Sequence, residues 1–478
     1  MQLATNRYRH VEATNQGSQD LAKISKRRSR AAGPLSLSVQ GYKAIRNKSV
    51  LEVKPLTIIS GANSSGKSSF IQPFLMMKQT LDSAFDPGAL LLYGPNVKIT
   101  EHSQILSRGK ARTDLVNQFV AGMQQGEESR EVKFVVKQGA LSILSDTTTT
   151  NGVVTSLSDP LSKANLERLR DSYRGLARRY LRVIRNSGEE AETDISREDD
   201  WSFEVYRNRC FLEPILTVSA DDEHYRLNVG GDSDDDRWVK FLRGIIHVPG
   251  LRGNPERAYA RSAVGSTYPG TFETYVASIV YEWTSSESPL IGTLSKQLED
   301  LGLTWKLTAR KLNDASIELS VGRMPHAQQG GAQDLVSVAD VGFGVSQTLP
   351  VLVALLAAQP GQLVYIEQPE IHLHPRAQLA LANALIAAAN RGVYVVAETH
   401  SSLLIRGIQT AIAKEELAAE SLSLNWFSRD PLTGFQTSVQ ASIDVAGRFG
   451  EWPVDFDEVS RDADWDYLDA VSIHGDQA

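Results

Sequence analysis

The stretch Leu56-Thr57-Ile58-Ile59-Ser60-Gly61-Ala62-Asn63-Ser64-Ser65-Gly66-Lys67-Ser68 decides the fold. Its first five residues are nearly all apolar or β-branched, the mark of a central buried strand. The next eight fit G-x-x-x-x-G-K-[ST] at every required position. Helical sequence follows, over Ser69–Thr80. Gly61 and Gly66 let the backbone bend so that successive N–H groups turn inward and cradle phosphate oxygens. The helix adds the positive end of its dipole. Lys67 can then reach β- and γ-phosphates, and Ser68 can ligate Mg²⁺. The spacing therefore predicts a nucleotide-phosphate site built from Gly61, Asn63, Ser64, Ser65, Gly66, Lys67, Ser68 and Ser69.

Working outward, Leu35, Leu37 and Val39 alternate with polar residues as a half-buried strand does, and a second strand follows at Ser49–Val53. After residue 335 the chain alternates helices and short apolar strands: helix Ser346–Ala358, strand Leu363–Ile366, helix Ala377–Ala389 and strand Val393–Ala397. That alternation predicts an α/β fold with a mostly parallel sheet covered on both faces. Strand Gln362–Ile366 delivers Glu367-Gln368-Pro369-Glu370 at its C-terminal end, where open α/β sheets bind ligands. Strand Val393–Ala397 delivers Glu398-Thr399-His400-Ser401, and a histidine at that edge can hydrogen-bond a γ-phosphate. The run Val341-Gly342-Phe343-Gly344-Val345-Ser346-Gln347 enters a helix and forms a second anion site, or a simple N-cap with Gly344 or Ser346 as the cap. His372 and His374 lie on one side of an extended segment with Glu370, which leaves a metal as the minor reading.

The order of these elements resembles an ABC-type P-loop ATPase: Walker A, a glycine-rich signature before a helix, Walker B with "PE", then "ETHS". It is similar in particular to the SMC/RecF-like and overcoming-lysogenization-defect-like branch, the prokaryotic AAA family ATPases of the kind found in anti-phage defence loci. "GYKAIRN" at 41–47, "EQPEIHLHP" at 367–375 and "GRFGEWPVDF" at 447–456 match that branch, as does "HVPGLRGNPERAY" at 247–259. The resemblance covers about 35–110 and 335–456. It implies two heads face to face, each ATP held by Walker A of one and the signature of the other. Gly342, Gly344 and Ser346 would then approach the partner's nucleotide, with Gly342 standing where many relatives have Ser. Glu367 would hold Mg²⁺, and Gln104 in "EHSQIL" would join Mg²⁺ and water.

One departure bears on the chemistry. The position after the Walker B acid usually carries the Glu that orients attacking water; here it is Gln368. Gln can hold a water but cannot accept its proton. The expected catalytic set is therefore Glu367, Gln368, Glu370 and His400, with slow hydrolysis. Three origins of Gln368 stay open: a subgroup norm with Glu370 or His400 taking over, a slow switch, or a deliberate change.

Between 110 and 330 the pattern is mixed. Thr147–Thr150 with Asn151-Gly152 reads as a turn or loose loop. Leu161–Asn186 reads as a helix with an apolar stripe and a basic face of Lys163, Arg168, Arg170, Arg174, Arg178, Arg179, Arg182 and Arg185. A solvated face outweighs a phosphate-backbone contact there. The expected organisation is a disordered basic tail at 1–33, an ATPase N-terminal lobe at 34–110, an inserted α+β or helical region at 111–334 between Walker A lobe and signature, a C-terminal ATPase lobe at 335–450, and an acidic tail at 451–478.

Composition narrows the classes. With 478 residues, 41% hydrophobic and 22% charged, the chain is globular. One cysteine, Cys210, excludes an internal disulfide and a Cys-based metal site and points to reducing cytoplasm. The longest apolar stretch, Leu349–Ala358, is about half of what crosses a bilayer, so no membrane partner is expected. The net charge of −7 is a sum of unlike parts: the first 33 residues carry seven basic against two acidic residues, the last 28 one against nine, and the body between them is near neutral at −4.

The resemblance implies an ATP-driven dimerising switch or sensor in anti-phage defence, with ATP and Mg²⁺ as cofactors, a homodimer through the heads, and a separate effector, nuclease or toxin. Nucleic acid stays open as a partner. Two alternatives stand beside it: a non-hydrolysing ATP-binding scaffold that holds a toxin or nuclease, and a DNA-repair ATPase acting directly on DNA.

Overall fold

The computed structural model describes residues 33–109, 114–158, 160–184, 201–220, 223–228, 236–324, 334–450 and 465–468. The basic tail and most of the acidic tail thus lie outside the described residues. So do 185–200, including Arg185 of the basic face.

The chain starts with strands β1 (Leu35–Gln40) and β2 (Ser49–Val53), then β3 (Leu56–Gly61), in which every residue is buried. The phosphate-loop helix follows at Lys67–Asp82. Strands β4 (Gln118–Gln125), β5 (Glu128–Lys137), β6 (Ala140–Thr150) and β7 (Val153–Leu157) come next. They do not stand apart from the N-terminal lobe: one antiparallel sheet runs β2-β1-β4-β5-β6-β7. Thr147–Thr150, read from sequence as a turn, are strand residues. Their β-branched side chains suit a pleated surface, and the turn shrinks to Asn151-Gly152, both at positive φ, the two-residue hairpin that this pair favours.

Helix Lys163–Ile184 packs on β8 (Trp201–Asn208) and β9 (Phe211–Ala220), with β10 (Glu223–Asn228) on the far edge. Leu169, Ala177, Trp201, Phe203 and Leu216 form a small separate core there. On its outer face Arg168 and Arg174 are exposed. Arg174 pairs with Asp171 at 3.1 Å.

After helix Arg237–Gly244 the chain re-enters the ATPase core through β11 (Ile246–Val248). Strands β12 (Tyr259–Ala260), β13 (Leu307–Asn313), β14 (Ser316–Gly322) and β15 (Leu335–Ser337) make a small antiparallel sheet beside helices Val276–Ser285 and Pro289–Asp300. The stretch expected as one insertion, 111–334, therefore divides. Its first strands extend the N-terminal sheet, and β11 lies in the core sheet. Non-local pairing decides this, and local periodicity does not report it.

The core sheet is completed by β16 (Leu363–Glu367), β17 (Tyr394–Glu398), β18 (Leu422–Arg429) and β19 (Gln436–Gln440), in the order β11-β16-β17-β3-β18-β19. All pairs are parallel except β18–β19. Alternation along each strand feeds two cores. Leu56, Ile58, Val364, Ile366, Val395 and Ala397 face helices Phe343–Ala357, Pro375–Asn390 and Ser402–Ala413. Ile59, Leu363, Tyr365, Val396 and Phe427 face the phosphate-loop helix and the antiparallel sheet. The architecture is α/β: a mostly parallel core sheet covered on both faces, with the phosphate loop at the end of its β3 strand. No helix among the described residues is long and apolar enough to cross a membrane.

One buried ionic cluster ties the two sheets' elements. Arg130 on β5 donates to Asp146 on β6 at 2.6 Å and to Asp236 at 2.5 Å, and lies 3.6 Å over the Phe211 ring. Asp236 also caps helix Arg237–Gly244 by accepting from Trp238 N and Val239 N. Cys210, fully buried beside this cluster, has its thiol pushed up to about 12 by that burial. Arg130→Leu leaves two carboxylates uncompensated and is expected to cost about 3–5 kcal/mol. Chemical denaturation checks this; a loss below about 1 kcal/mol, the scale of an exposed pair, contradicts it.

Candidate functional site

The phosphate loop closes β3 as its motif predicts. Gly61 has φ +144°, and a Cβ there would lie 2.0 Å from Phe427 O on the neighbouring strand, so only glycine fits. Gly66 takes φ +98° and caps the helix. Asn63 and Ser64 are exposed, Ser65 is buried, and Ser68 and Ser69 are half-buried at the helix start. Lys67 folds over the loop: Nζ donates to Gly61 O at 3.0 Å and Ala62 O at 2.9 Å. Burial pushes its amine down, against the opposing pull of Glu398 and Glu370.

Parallel strands β16 and β17 end in register, with Glu367 opposite Glu398. Ser68 Oγ donates to Glu398 Oε2 at 2.8 Å, not to Glu367. Tyr365 OH donates to the other oxygen, Oε1, at 2.5 Å. Glu398 is thus the carboxylate nearest the phosphate-loop hydroxyl, and sequence reasoning did not assign it a role. Burial raises its carboxyl to about 7, opposed by the Tyr365 bond and reinforced by Glu367.

Glu367 is occupied on the other side. Asn96 Nδ2 donates to Gly270 O at 2.9 Å, which fixes the amide orientation, and the same nitrogen lies 3.1 Å from His247 Nδ1. The imidazole proton therefore sits on Nε2, 3.2 Å from Glu367 Oε1. Gly250 N donates to Glu367 Oε2 at 3.2 Å. Burial raises the Glu367 carboxyl, and these bonds outweigh it, leaving it below the usual range.

Gln368 is half-buried at φ +44°, its N–H donating to Glu398 O at 2.8 Å. Glu370 accepts from His400 N at 2.8 Å on Oε1, while Oε2 is buried with no partner, and burial raises its carboxyl. The His400 ring is exposed, its pKa lowered first by desolvation and then by Lys67.

The signature helix begins earlier than its apolar pattern, at Phe343, with Gly342 as N-cap. The expected capping role of Gly344 or Ser346 is therefore corrected. Both lie inside the first turn, and Ser346 Oγ donates back to Phe343 O at 3.1 Å. A Cβ on Gly344 would press Leu303 at 3.1 Å. Phe343 is half exposed, 6.0 Å from the His372 ring. Gln104 exchanges hydrogen bonds with Thr100 through both amide atoms. Among the described residues no group of three His, Cys, Asp or Glu is placed to hold a metal. His374 caps helix Pro375–Asn390, and Glu370 turns to His400, so the Glu370–His372–His374 reading fails on geometry.

The residues fit Mg²⁺ with a triphosphate. The donor set is hard oxygen (Ser68, Glu398 and Glu367), which suits a cation that takes few protein ligands beside phosphates. The unpartnered Ser65 Oγ and Glu370 Oε2 leave hydrogen-bonding capacity at the loop and the strand ends.

Sequence also passed over Arg252. It is buried, and donates to Gln347 O at 3.0 Å, Glu367 O at 2.7 Å and Gln368 O at 3.3 Å. Its guanidinium is pushed down to about 10 by burial, against the pull of Glu370 and Glu367. Arg252 lies in the stretch at 247–259 that carries the resemblance, but the sequence assigns that stretch no role, because which groups its side chains reach is set by the tertiary fold.

No curated protein matches the chain in sequence. Among solved structures, an SMC head bound to the C-terminal winged-helix domain of ScpA is similar at TM-score 0.45 and 11% identity, over 87% of this chain and 99% of that one. An SMC head with an extended coiled coil, bound to the C-terminal domain of ScpA, derived from Pyrococcus furiosus, gives 0.42 and 12%, over 86% and 96%. The SMC head domain from Thermotoga maritima gives 0.37 and 10%, over 86% and 100%. The family model described as "AAA domain, putative AbiEii toxin, Type IV TA system" matches residues 56–406, and the chain belongs to that family.

Proposed function

We propose that this protein is a Mg²⁺- and ATP-binding switch that dimerises head to head, hydrolyses ATP slowly, and controls a separate effector in cytoplasmic anti-phage defence. The observation that carries the nucleotide reading is the meeting of Lys67 and Ser68 with Glu398, Glu367, Gln368 and Glu370 at the ends of three adjacent parallel strands. Mg²⁺ would be held by Ser68 with Glu398 and Glu367, and supplies neutralisation of phosphate charge. Lys67 binds the triphosphate and Gln368 orients water. Glu370, whose carboxyl is raised by burial, is the group beside it able to take a proton. The exposed Gly342–Phe343 edge supports a contact across a second head. The family description names a putative toxin of a type IV TA system, which is the setting in which a toxin-controlling switch is proposed here.

Gln368 favours one second reading, a scaffold that binds ATP without turning it over. Steady-state phosphate release separates the two, with Lys67→Ala as the blank. Turnover lost by at least about a hundredfold in the variant, as when a group acting on transferring phosphate is removed, supports the enzyme. Tight ATP binding with no release above the blank supports the scaffold, and no ATP binding overturns both.

A further inference from the structure

We infer that Arg252 is a positioning residue that couples the signature helix to the hydrolytic end of β16. The inference rests on the reading of this site as an ATPase. The segment Val248–Gly253 leaves β11 and runs as a strap between the carboxyl end of β16 and the signature helix. One side of it is tied to Walker B: Gly250 N donates to the Glu367 carboxylate, and Arg252 donates to the main-chain carbonyls of Glu367 and Gln368. The other side is tied to the signature helix: Arg252 donates to Gln347 O, and Gln347 Nε2 returns bonds to Arg252 O at 3.2 Å and Gly253 O at 3.1 Å.

The consequence lies in what Arg252 holds. Its planar fork spans two elements at once, which an ammonium on a flexible stem does not reproduce. One of its acceptors is the main-chain carbonyl of Gln368, the residue proposed above to orient the attacking water, and that residue sits at φ +44°, outside the comfortable range of an L-residue. Another, Gln347, is the third residue after Gly344 in the signature helix. A shift of the signature helix is therefore transmitted through one buried guanidinium to the backbone that aims Gln368. In a pair of heads, the signature of this chain meets the nucleotide of its partner. Arg252 thus makes water positioning at one nucleotide depend on whether the signature has found the other. Nothing in this role requires Arg252 to touch nucleotide, so it acts through Gln368.

The test uses the full chain with Arg252→Lys, Gln347→Leu and the double variant, measured for binding of a fluorescent ATP analogue, for kcat and KM, and for thermal midpoint. Arg252→Lys is expected to lower kcat by about tenfold to a hundredfold, the scale of a small misplacement, while analogue affinity and KM stay within about twofold, as for an interaction absent from substrate binding. Gln347→Leu keeps Arg252 and its charge, and is expected to lower kcat in the same direction. The double variant is expected to be no slower than Arg252→Lys alone, because both act through one strap. Additive losses, an unchanged kcat, or a loss that restoring the thermal midpoint with an osmolyte repairs would each overturn the coupling. If Arg252→Lys does not fold, Gln347→Leu decides by itself: an unchanged kcat overturns the inference. Absence of turnover in the unaltered protein refutes the ATPase reading instead, and is distinguished by that control.

Discussion

Glu398→Gln is expected to abolish ATP turnover and, at the same time, to stabilise the fold above neutral pH. The side chain is fully buried between Tyr365 OH and Ser68 Oγ. An amide keeps the shape: its oxygen accepts from Tyr365 and its nitrogen reaches the Ser68 oxygen. What it loses is the charge that pairs with Mg²⁺ beside Ser68, and turnover is expected to fall by on the order of 10² or more, as when an electrostatic stabiliser is deleted. Stability moves the other way. The carboxyl stands at about 7 in the fold against an ordinary 4.5. A raised carboxyl means that the native state holds the proton more tightly. Its contribution is full below about 4.5 and is lost as pH rises to about 7. Gln has no such loss, so the variant gains up to about 3 kcal/mol at pH 8 and close to nothing near pH 4.5. Denaturation midpoints at the two pH values, beside phosphate release, check both halves. A gain equal at both pH values, or activity that survives, contradicts the assignment.

Gln368→Glu is expected to accelerate hydrolysis by about a hundredfold, the lower range for a positioned general base. The residue follows Glu367 at the end of β16, where attacking water is oriented. Its amide can hold that water and cannot take its proton. The substitution adds a carboxylate beside Glu367, Glu370 and Glu398. That crowding raises the new group's pKa, which makes it the better base and costs some stability. Steady-state turnover reads the result. An unchanged rate contradicts the view that the missing base at position 368 limits turnover, and Glu370→Gln in the native background then tests Glu370 as the proton acceptor.

The phosphate loop was legible because its chemistry fixes both residue types and spacing, and because the strand before it and helix after it have clear local patterns. Strands β16 and β17 were legible for the same reason, as short apolar runs ending in acids. The partnership of those acids was not. Glu398 joins Ser68 only because β16 and β17 align Glu367 with Glu398 and β3 runs beside them, a register that no local pattern reports. Arg252 and His247 escaped similarly: they reach the site along β11, a three-residue strand within a region whose surrounding sequence reads as an insertion. The signature helix was misplaced by three residues because its apolar run begins later than its backbone bonds, with Gly342 at the cap and Gly344 in the first turn. The Thr147–Thr150 run was misjudged by weighing turn residues above β-branching.

The position of β3 governs how the molecule is made. It is completed by residue 61, yet its sheet neighbours are β17 and β18, more than 330 residues further along. During synthesis the phosphate-loop strand waits with both edges unpaired while nearly the whole chain emerges, and the N-terminal antiparallel sheet can close long before it. Closing so large a loop adds little equilibrium cost, since the penalty grows only with the logarithm of length. Its burden is kinetic: long-range parallel pairing is slow, and open apolar edges are exposed to aggregation. Nucleotide competence therefore arrives last, when β18 seals Gly61 against Phe427, and a ribosome-bound chain lacking that strand is a nascent polypeptide without a nucleotide site.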